Sequence, residues 1–170
     1  MPISAECLVE EHLDALYGLA RAWVRDSDLA QDLTHRAFLK AFEKRGQLRE
    51  RGAARAWLIG ILRNEIASEF RVRGRELAFE FDALDDLPAE PCEECLDAEA
   101  LLALPLALER VPEPSRHILL LRFQQELSYE EIAHALALPL GTVMSRIHRA
   151  KAALRVQVMA LAGQPQEGAP

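Results

Sequence analysis

The stretch from Leu127 to Lys151 constrains this chain most, because it reads as two short helices around a tight break. Ser128 is a good N-cap, and Glu131 three residues on completes a capping box. Ile132, Ala133 and Leu136 then form one apolar face, and Pro139 and Gly141 interrupt the pattern. A second helix follows, with Val143, Ile147, Ala150 and Leu154 inward at helical spacing. Its other face carries Thr142, Ser145, Arg146, His148, Arg149 and Lys151. From Thr142 to Val156 there are four Arg or Lys and no acid. A helix pair whose second member is apolar inside and basic outside has the form of a helix-turn-helix.

A net charge of −7 taken as a whole opposes a nucleic-acid partner, but the charge is segregated. Residues 76–100 hold ten acids and no bases, and the other 145 residues carry 20 bases against 17 acids. Residues 36–75 alone have eleven bases and four acids. Phosphate binding depends on the local patch, not on the total.

Leu and Ala dominate and only 6% of residues are aromatic, so an all-α fold is expected. A first helix spans about 6 to 24, with Leu8, Leu13, Leu16, Leu19, Ala20 and Trp23 as its stripe. A second runs from about Asp28 to Arg45. Leu29, Leu33, Ala37 and Ala41 pack inward, and Phe38, Leu39 and Phe42 widen the face. Its polar remainder, Gln31, Asp32, His35, Arg36 and Lys40, is a solvated face or a partner surface. A polar loop, 46–52, leads to a third helix over about Ala53–Arg73. There Trp57, Leu58, Ile61, Leu62, Ile66 and Phe70 are apolar, while Arg55, Arg63, Asn64, Arg71, Arg73 and Arg75 decorate the other face and the end. Arg at a helix C-terminus suits the dipole. Trp57 either stacks on exposed bases or fills the core.

Residues 76–100, with Pro88, Pro91 and the acidic run, read as a flexible linker that cannot bury enough surface to offset its ordering entropy. Cys92 and Cys95 within it supply at most half of a tetrahedral zinc site, and no cofactor is expected. A helix from Leu101 to Arg110 contains Pro105; a helix from Pro114 to Leu127, packing Ile118, Leu119, Leu121 and Phe123, precedes the helix-turn-helix; residues 163–170 form a loose tail. No run approaches the roughly 20 apolar residues of a membrane span. The N-terminus lacks the basic flank and apolar run of a signal peptide. A cytoplasmic location follows as the expectation.

Three stretches carry a resemblance to a known family. Residues Asp28 to Phe42 resemble the helix by which bacterial sigma factors of the extracytoplasmic-function (ECF) group bind the polymerase clamp. Ala56 to Asn64 resembles the start of the helix that reads and opens the −10 element. Leu138 to Lys151 resembles the helix that reads the −35 element. The resemblance implies two small helical domains, a sigma2-like unit at 1–75 and a sigma4-like unit at 101–162, joined by the linker at 76–100. It further implies a non-enzymatic factor, monomeric when free, that binds core RNA polymerase and promoter DNA and is held by an anti-sigma factor.

The resemblance also assigns residues. Gln31, Asp32, Thr34, His35 and Phe38 become the clamp-docking set. Arg49 and Arg51, in the loop that holds a flipped base, join Trp57, Arg63, Asn64, Arg71 and Arg73 as the −10 set. Thr142, Met144, Ser145, Arg146, His148, Arg149 and Lys151 form the −35 set. The chain departs from the family pattern at four places. Arg36 replaces an acid, His35 a Gln, Met144 a basic residue, and Ala137 the glycine of the turn. If Ala137 is left-handed, it costs roughly 1 kcal/mol. Two other readings of the residues are a conventional helix-turn-helix regulator and a thiol- or metal-dependent sensor using Cys92 and Cys95.

Overall fold

The computed structural model describes residues 5–48, 50–74 and 98–162. Those residues form seven α-helices and no strand: α1 (Ala5–Val24), α2 (Ser27–Glu43), α3 (Ala54–Val72), α4 (Ala98–Arg110), α5 (Glu113–Leu119), α6 (Tyr129–Leu136) and α7 (Leu140–Ala162). The all-helical expectation holds. Single 3-10 turns at Arg45–Gln47 and Arg51–Ala53 connect α2 to α3. Most of the acidic segment, including Cys92 and Cys95, lies outside the described residues, as do Arg49, Arg75 and the tail after 162.

Local chemistry sets the helix ends. The Asp26 carboxylate accepts from the backbone N–H groups of Asp28 and Leu29, both at 3.0 Å, and so satisfies two of the donors that open α2. Pro114 sits in the first turn of α5, where its missing N–H costs nothing. That helix does not continue to Leu127. It passes into a π turn at Leu120–Gln124, and Glu126 turns the chain with a φ of 56°. The turn leaves Phe123 more than half exposed rather than packed, beneath the ammonium of Lys151, 5.9 Å from its ring centre. Ser128 and Glu131 make the full capping box on α6, with bonds of 3.1 and 2.8 Å.

Leu8, Leu16, Leu19, Ala20 and Trp23 of α1 are buried with Leu33, Ala37, Phe38 and Ala41 of α2 and Leu58, Ile59, Leu62 and Ile66 of α3. Two members of the expected stripes face outward instead, Leu13 and Leu39. They lie at the edges of their arcs, where the 100° step of the helix carries a side chain past the contact. The same apolar cluster continues into Ile118, Leu121, Ile132, Ala135, Leu136, Val143 and Ile147. The N-terminal and C-terminal helices therefore share one core. Helices α3 and α6 meet closely at Gly60: a Cβ there would lie 3.5 Å from the Ala135 carbonyl oxygen. That is ordinary van der Waals contact, so the two backbones pass at a distance that a small side chain would also fit. A smaller cluster, Ala107 with Val158, Leu104, Leu154 and Leu161, seats α4 on α7.

Candidate functional site

Helix α7 separates its two faces as its sequence pattern requires. Val143, Ile147 and Ala150 are fully buried, while Met144, Ser145, His148 and Lys151 are exposed and Thr142, Arg146 and Arg149 are half-buried. The helix begins at Leu140, so Gly141 lies in its first turn, and the break sits earlier, at Ala137–Pro139. Ala137 is left-handed, at φ 52° and ψ 46°. Its N–H donates to the His134 carbonyl at 3.3 Å, and the N–H of Leu138 to that of Ala133 at 3.0 Å. This is a Schellman closure, and it sets the angle at which α7 leaves α6. Ser145 Oγ donates to the Thr142 carbonyl at 3.0 Å, and Arg149 Nη2 lies 3.4 Å from Ser145 Oγ. The resulting surface is a polar and cationic ridge raised on a rigid apolar base.

The second basic surface, on α3, is arranged differently. Trp57 is half-buried against the core, so filling, not free stacking, describes it here. Asn64 is exposed, and its Oδ1 accepts from Arg63 Nη2 at 2.6 Å. The other terminal nitrogen of Arg63 donates to the carbonyl of Leu136, at the end of α6. Burial pulls the pKa of this guanidinium down, though an arginine stays charged. Arg71 and Arg73 are exposed at the end of α3, and Arg73 Nε donates to Glu69 at 2.8 Å. Arg49 and the side chain of Arg51 lie outside what the structure describes.

On α2, Gln31, Asp32 and His35 are exposed and contiguous. Thr34 and Phe38 are not part of that surface. Both are buried, and Thr34 Oγ1 donates to the Ala30 carbonyl at 2.7 Å. In this fold they support α2 from within; a partner would meet their neighbours. Arg36 pairs with Asp32 one turn before it and with Glu69 of α3 at 2.9 Å. These hydrogen bonds, first to Asp32 and then to Glu69, raise the Arg36 pKa; Arg36 in turn, ahead of Arg73, lowers that of Glu69. Lys40 pairs likewise with the buried Glu65 of α3.

Sequence reasoning missed several residues at the seam between the two halves. Arg55 Nη1 donates to the Gln125 carbonyl at 3.0 Å. Trp23 of α1 lies against His117 of α5, with ring centres 5.5 Å apart, and burial drives the His117 pKa down to about 3. Arg116 beside it is also buried, and its Nη1 donates to the Glu109 carbonyl at 3.3 Å. Trp23 belongs to the apolar stripe of α1, but no local pattern distinguishes Arg55, Arg116 and His117 from surface residues, because their burial depends on helices far away in sequence. A cleft of about 330 Å³ opens on the same seam, lined by Glu11, His12, Arg55, Gln125, Glu126 and Glu131 among others. Its three carboxylates make it unsuited to phosphate. Among the described residues no cluster of His, Cys, Asp and Glu could hold a metal, and no helix is long and apolar enough to cross a membrane.

Comparison with known proteins matches these two halves separately. Residues 8–76 match the family described as Sigma-70 region 2, and residues 101–154 match Sigma-70, region 4. The chain is 34% identical to the RNA polymerase sigma-H factor of Pseudomonas aeruginosa, over 88% of this chain and 83% of that protein. It is 36% identical to the ECF RNA polymerase sigma factor SigE of Mycolicibacterium smegmatis, over 87% of this chain and 59% of that one. Among solved structures it resembles the sigma factor RpoE in complex with the anti-sigma factor NepR from Bartonella quintana. There the TM-score is 0.64 and the identity 28%, over 89% of this chain and 94% of that one.

Proposed function

The chain belongs to the sigma-70 family, in its ECF group, as an RNA polymerase sigma factor that directs promoter-specific initiation, and from that premise we propose how its residues divide the work. Residues 1–75 act as the sigma2-like unit and 101–162 as the sigma4-like unit, with 76–100 as the acidic tether between them. The exposed Gln31, Asp32 and His35 dock on core polymerase. Asn64, with Arg63, Arg71 and Arg73, engages the −10 element, and Arg49 and Arg51 belong to the loop beside it. Thr142, Met144, Ser145, Arg146, His148, Arg149 and Lys151 read the −35 element.

The observation that carries this reading is the two-faced geometry of α7. Its inner face is sealed by Val143, Ile147 and Ala150, so the exposed Met144, Ser145, His148 and Lys151 of the outer ridge are available to a major groove. Each unit alone makes few phosphate contacts and binds weakly and with strong salt dependence. Mounting both on one polymerase raises the effective concentration of each. Extruding a base costs on the order of a few kcal/mol, which a dedicated pocket near the −10 loop recovers. Sigma factors are initiation factors; the chain's role is to position polymerase and DNA, with no catalysis of its own. We place it in the cytoplasm, monomeric when free and held by an anti-sigma factor, a partnership supported by the sigma–NepR complex it resembles.

Run-off transcription tests the reading, with purified core enzyme, this chain as the sole sigma, and its own upstream region as template. A discrete promoter-initiated transcript is expected. Active core that neither binds the chain nor initiates would refute it.

A further inference from the structure

We propose that Lys40 and Glu65, together with Arg36 and Glu69, are positioning residues for the −10 element. They form a two-rung ionic ladder that fixes the register of α3 on α2, and with it the place of Asn64 and Arg73 relative to the polymerase-docking face. The proposal rests on the sigma reading above and adds residues that neither the docking set nor the −10 set contains.

The rungs are regular. Arg36 meets Glu69 at 2.9 Å, and Lys40 meets Glu65. The cations stand four residues apart on α2 and the acids four apart on α3, in opposite chain order. The ladder therefore crosses an antiparallel pair of helices, with its rungs one turn, about 6 Å, apart.

The apolar contact alone is less selective. Leu33, Ala37 and Ala41 recur at four-residue spacing along the buried face of α2, and such a ridge fits the facing groove almost as well one turn away. Charge removes that ambiguity. A slip of one turn brings Asp32 opposite Glu69 in one direction and Arg36 opposite Arg73 in the other, like charges in both cases. Glu65 is only 5% exposed, and a carboxylate so placed is strongly unfavourable without its cation.

Both rungs end beside the −10 set. Glu65 directly follows the exposed Asn64. The second carboxylate oxygen of Glu69 accepts from Arg73 Nε at 2.8 Å. At the other end Arg36 pairs with Asp32 of the docking face. An alternating run of charges, Asp32, Arg36, Glu69 and Arg73, thus joins the two surfaces. A reader that works through a few side chains needs its geometry held to about half an ångström, and a support of this kind supplies it.

The test uses the full chain on core polymerase in run-off transcription. Its templates are the native promoter and two variants, with one −10 or one −35 base pair changed, each chosen to cost the native holoenzyme about tenfold. Glu65→Gln should reduce the −10 discrimination to about threefold or less, while core affinity and the −35 discrimination stay as they are. Loss of folded chain lowers output from all templates alike and does not move these ratios. An unchanged −10 ratio overturns the proposal. Should Glu65→Gln fail to fold, Lys40→Met breaks the same rung from its exposed side and is read in the same way.

A second comparison separates the ladder from packing. Lys40→Met with Glu65→Leu removes both charges of the rung and should match the native chain in urea melts. Its −10 discrimination should nevertheless stay low, because an apolar rung leaves the register to the stripe. Full −10 discrimination by this uncharged pair would show that packing alone sets the register, and overturns the proposal. If the native chain neither binds core nor initiates, the sigma reading fails and the ladder's role falls with it. Initiation by the native chain, with an unmoved −10 ratio in the variants, refutes the ladder alone.

Discussion

Arg36 of α2 holds Glu69 of α3 at 2.9 Å while also pairing with Asp32 on its own helix. One cation thereby joins the surface assigned to polymerase docking to the helix assigned to the −10 element. Family resemblance places an acid at position 36, so the exchange to arginine reverses a charge in the middle of the docking face and engages the Asp32 carboxylate.

Replacing this cation should therefore strengthen docking. Arg36→Gln frees Asp32 for a basic clamp and is expected to tighten core binding several-fold at low salt, with the gain fading as salt is added. The Arg36–Asp32 pair is about half exposed and Glu69 keeps Arg73 as a partner, so the urea midpoint should change little. Fluorescence anisotropy of labelled chain against core measures the first, and circular dichroism the second. Unchanged core affinity would remove Asp32 from the docking set.

Docking and −35 reading should separate by mutation. Arg149→Ala removes a guanidinium held along the outer ridge of α7 and is expected to cost about 1–3 kcal/mol at the −35 element while sparing core binding. Asp32→Ala should do the reverse. Promoter titration of the two holoenzymes, alongside core pull-down, reads both effects. Loss of core binding with Arg149→Ala would contradict the assignment.

The turn between α6 and α7 contains a strained position. Ala137 has φ 52°, and its side chain is exposed. Ala137→Gly relieves the left-handed penalty at the cost of extra freedom in the unfolded chain, for an expected net gain of about 0.5–1 kcal/mol. Ser128→Ala, which removes the N-cap of the same helix, should lose about 1 kcal/mol. Urea melts of both variants check the signs, and a destabilised Ala137→Gly would mean that the closure depends on the methyl group.

Acid should weaken the fold through His117. The unfolded chain takes up a proton near pH 6.5, whereas the folded chain refuses it until about 3, because burial, then Arg116 and Arg25, disfavour the imidazolium. Stability from this group is full above pH 6.5 and falls as pH drops toward 3, by about 2 kcal/mol on reaching pH 5. His117→Phe keeps a ring against Trp23 and should flatten that slope. Equal slopes in urea melts from pH 7 to pH 5 would show that His117 is not the group responsible.

Much of this architecture was legible before any coordinates. The capping box of Ser128 and Glu131 and the inward Val143, Ile147 and Ala150 depend on neighbours within a turn or two, whereas the left-handed backbone of Ala137 was only a condition until the turn was seen. Thr34, Phe38 and Phe123 were not. Thr34 looks polar and Phe38 looks like a contact residue, yet α2 turns both inward. A π turn, which no spacing announced, leaves Phe123 outside.

The sequence by itself determined which segments are helical, where α6 is capped, and which face of α7 is basic, because a period of 3.6 residues and a cap are local facts. Only the tertiary structure decided that Gly60 meets Ala135, that Arg63 ends on Leu136, and that His117 is buried against Trp23. Those pairs lie some seventy or more residues apart for α3–α6 and further for Trp23 and His117. Each helix offers an apolar stripe that several partners could cover, and the choice among them belongs to the packing of the whole core.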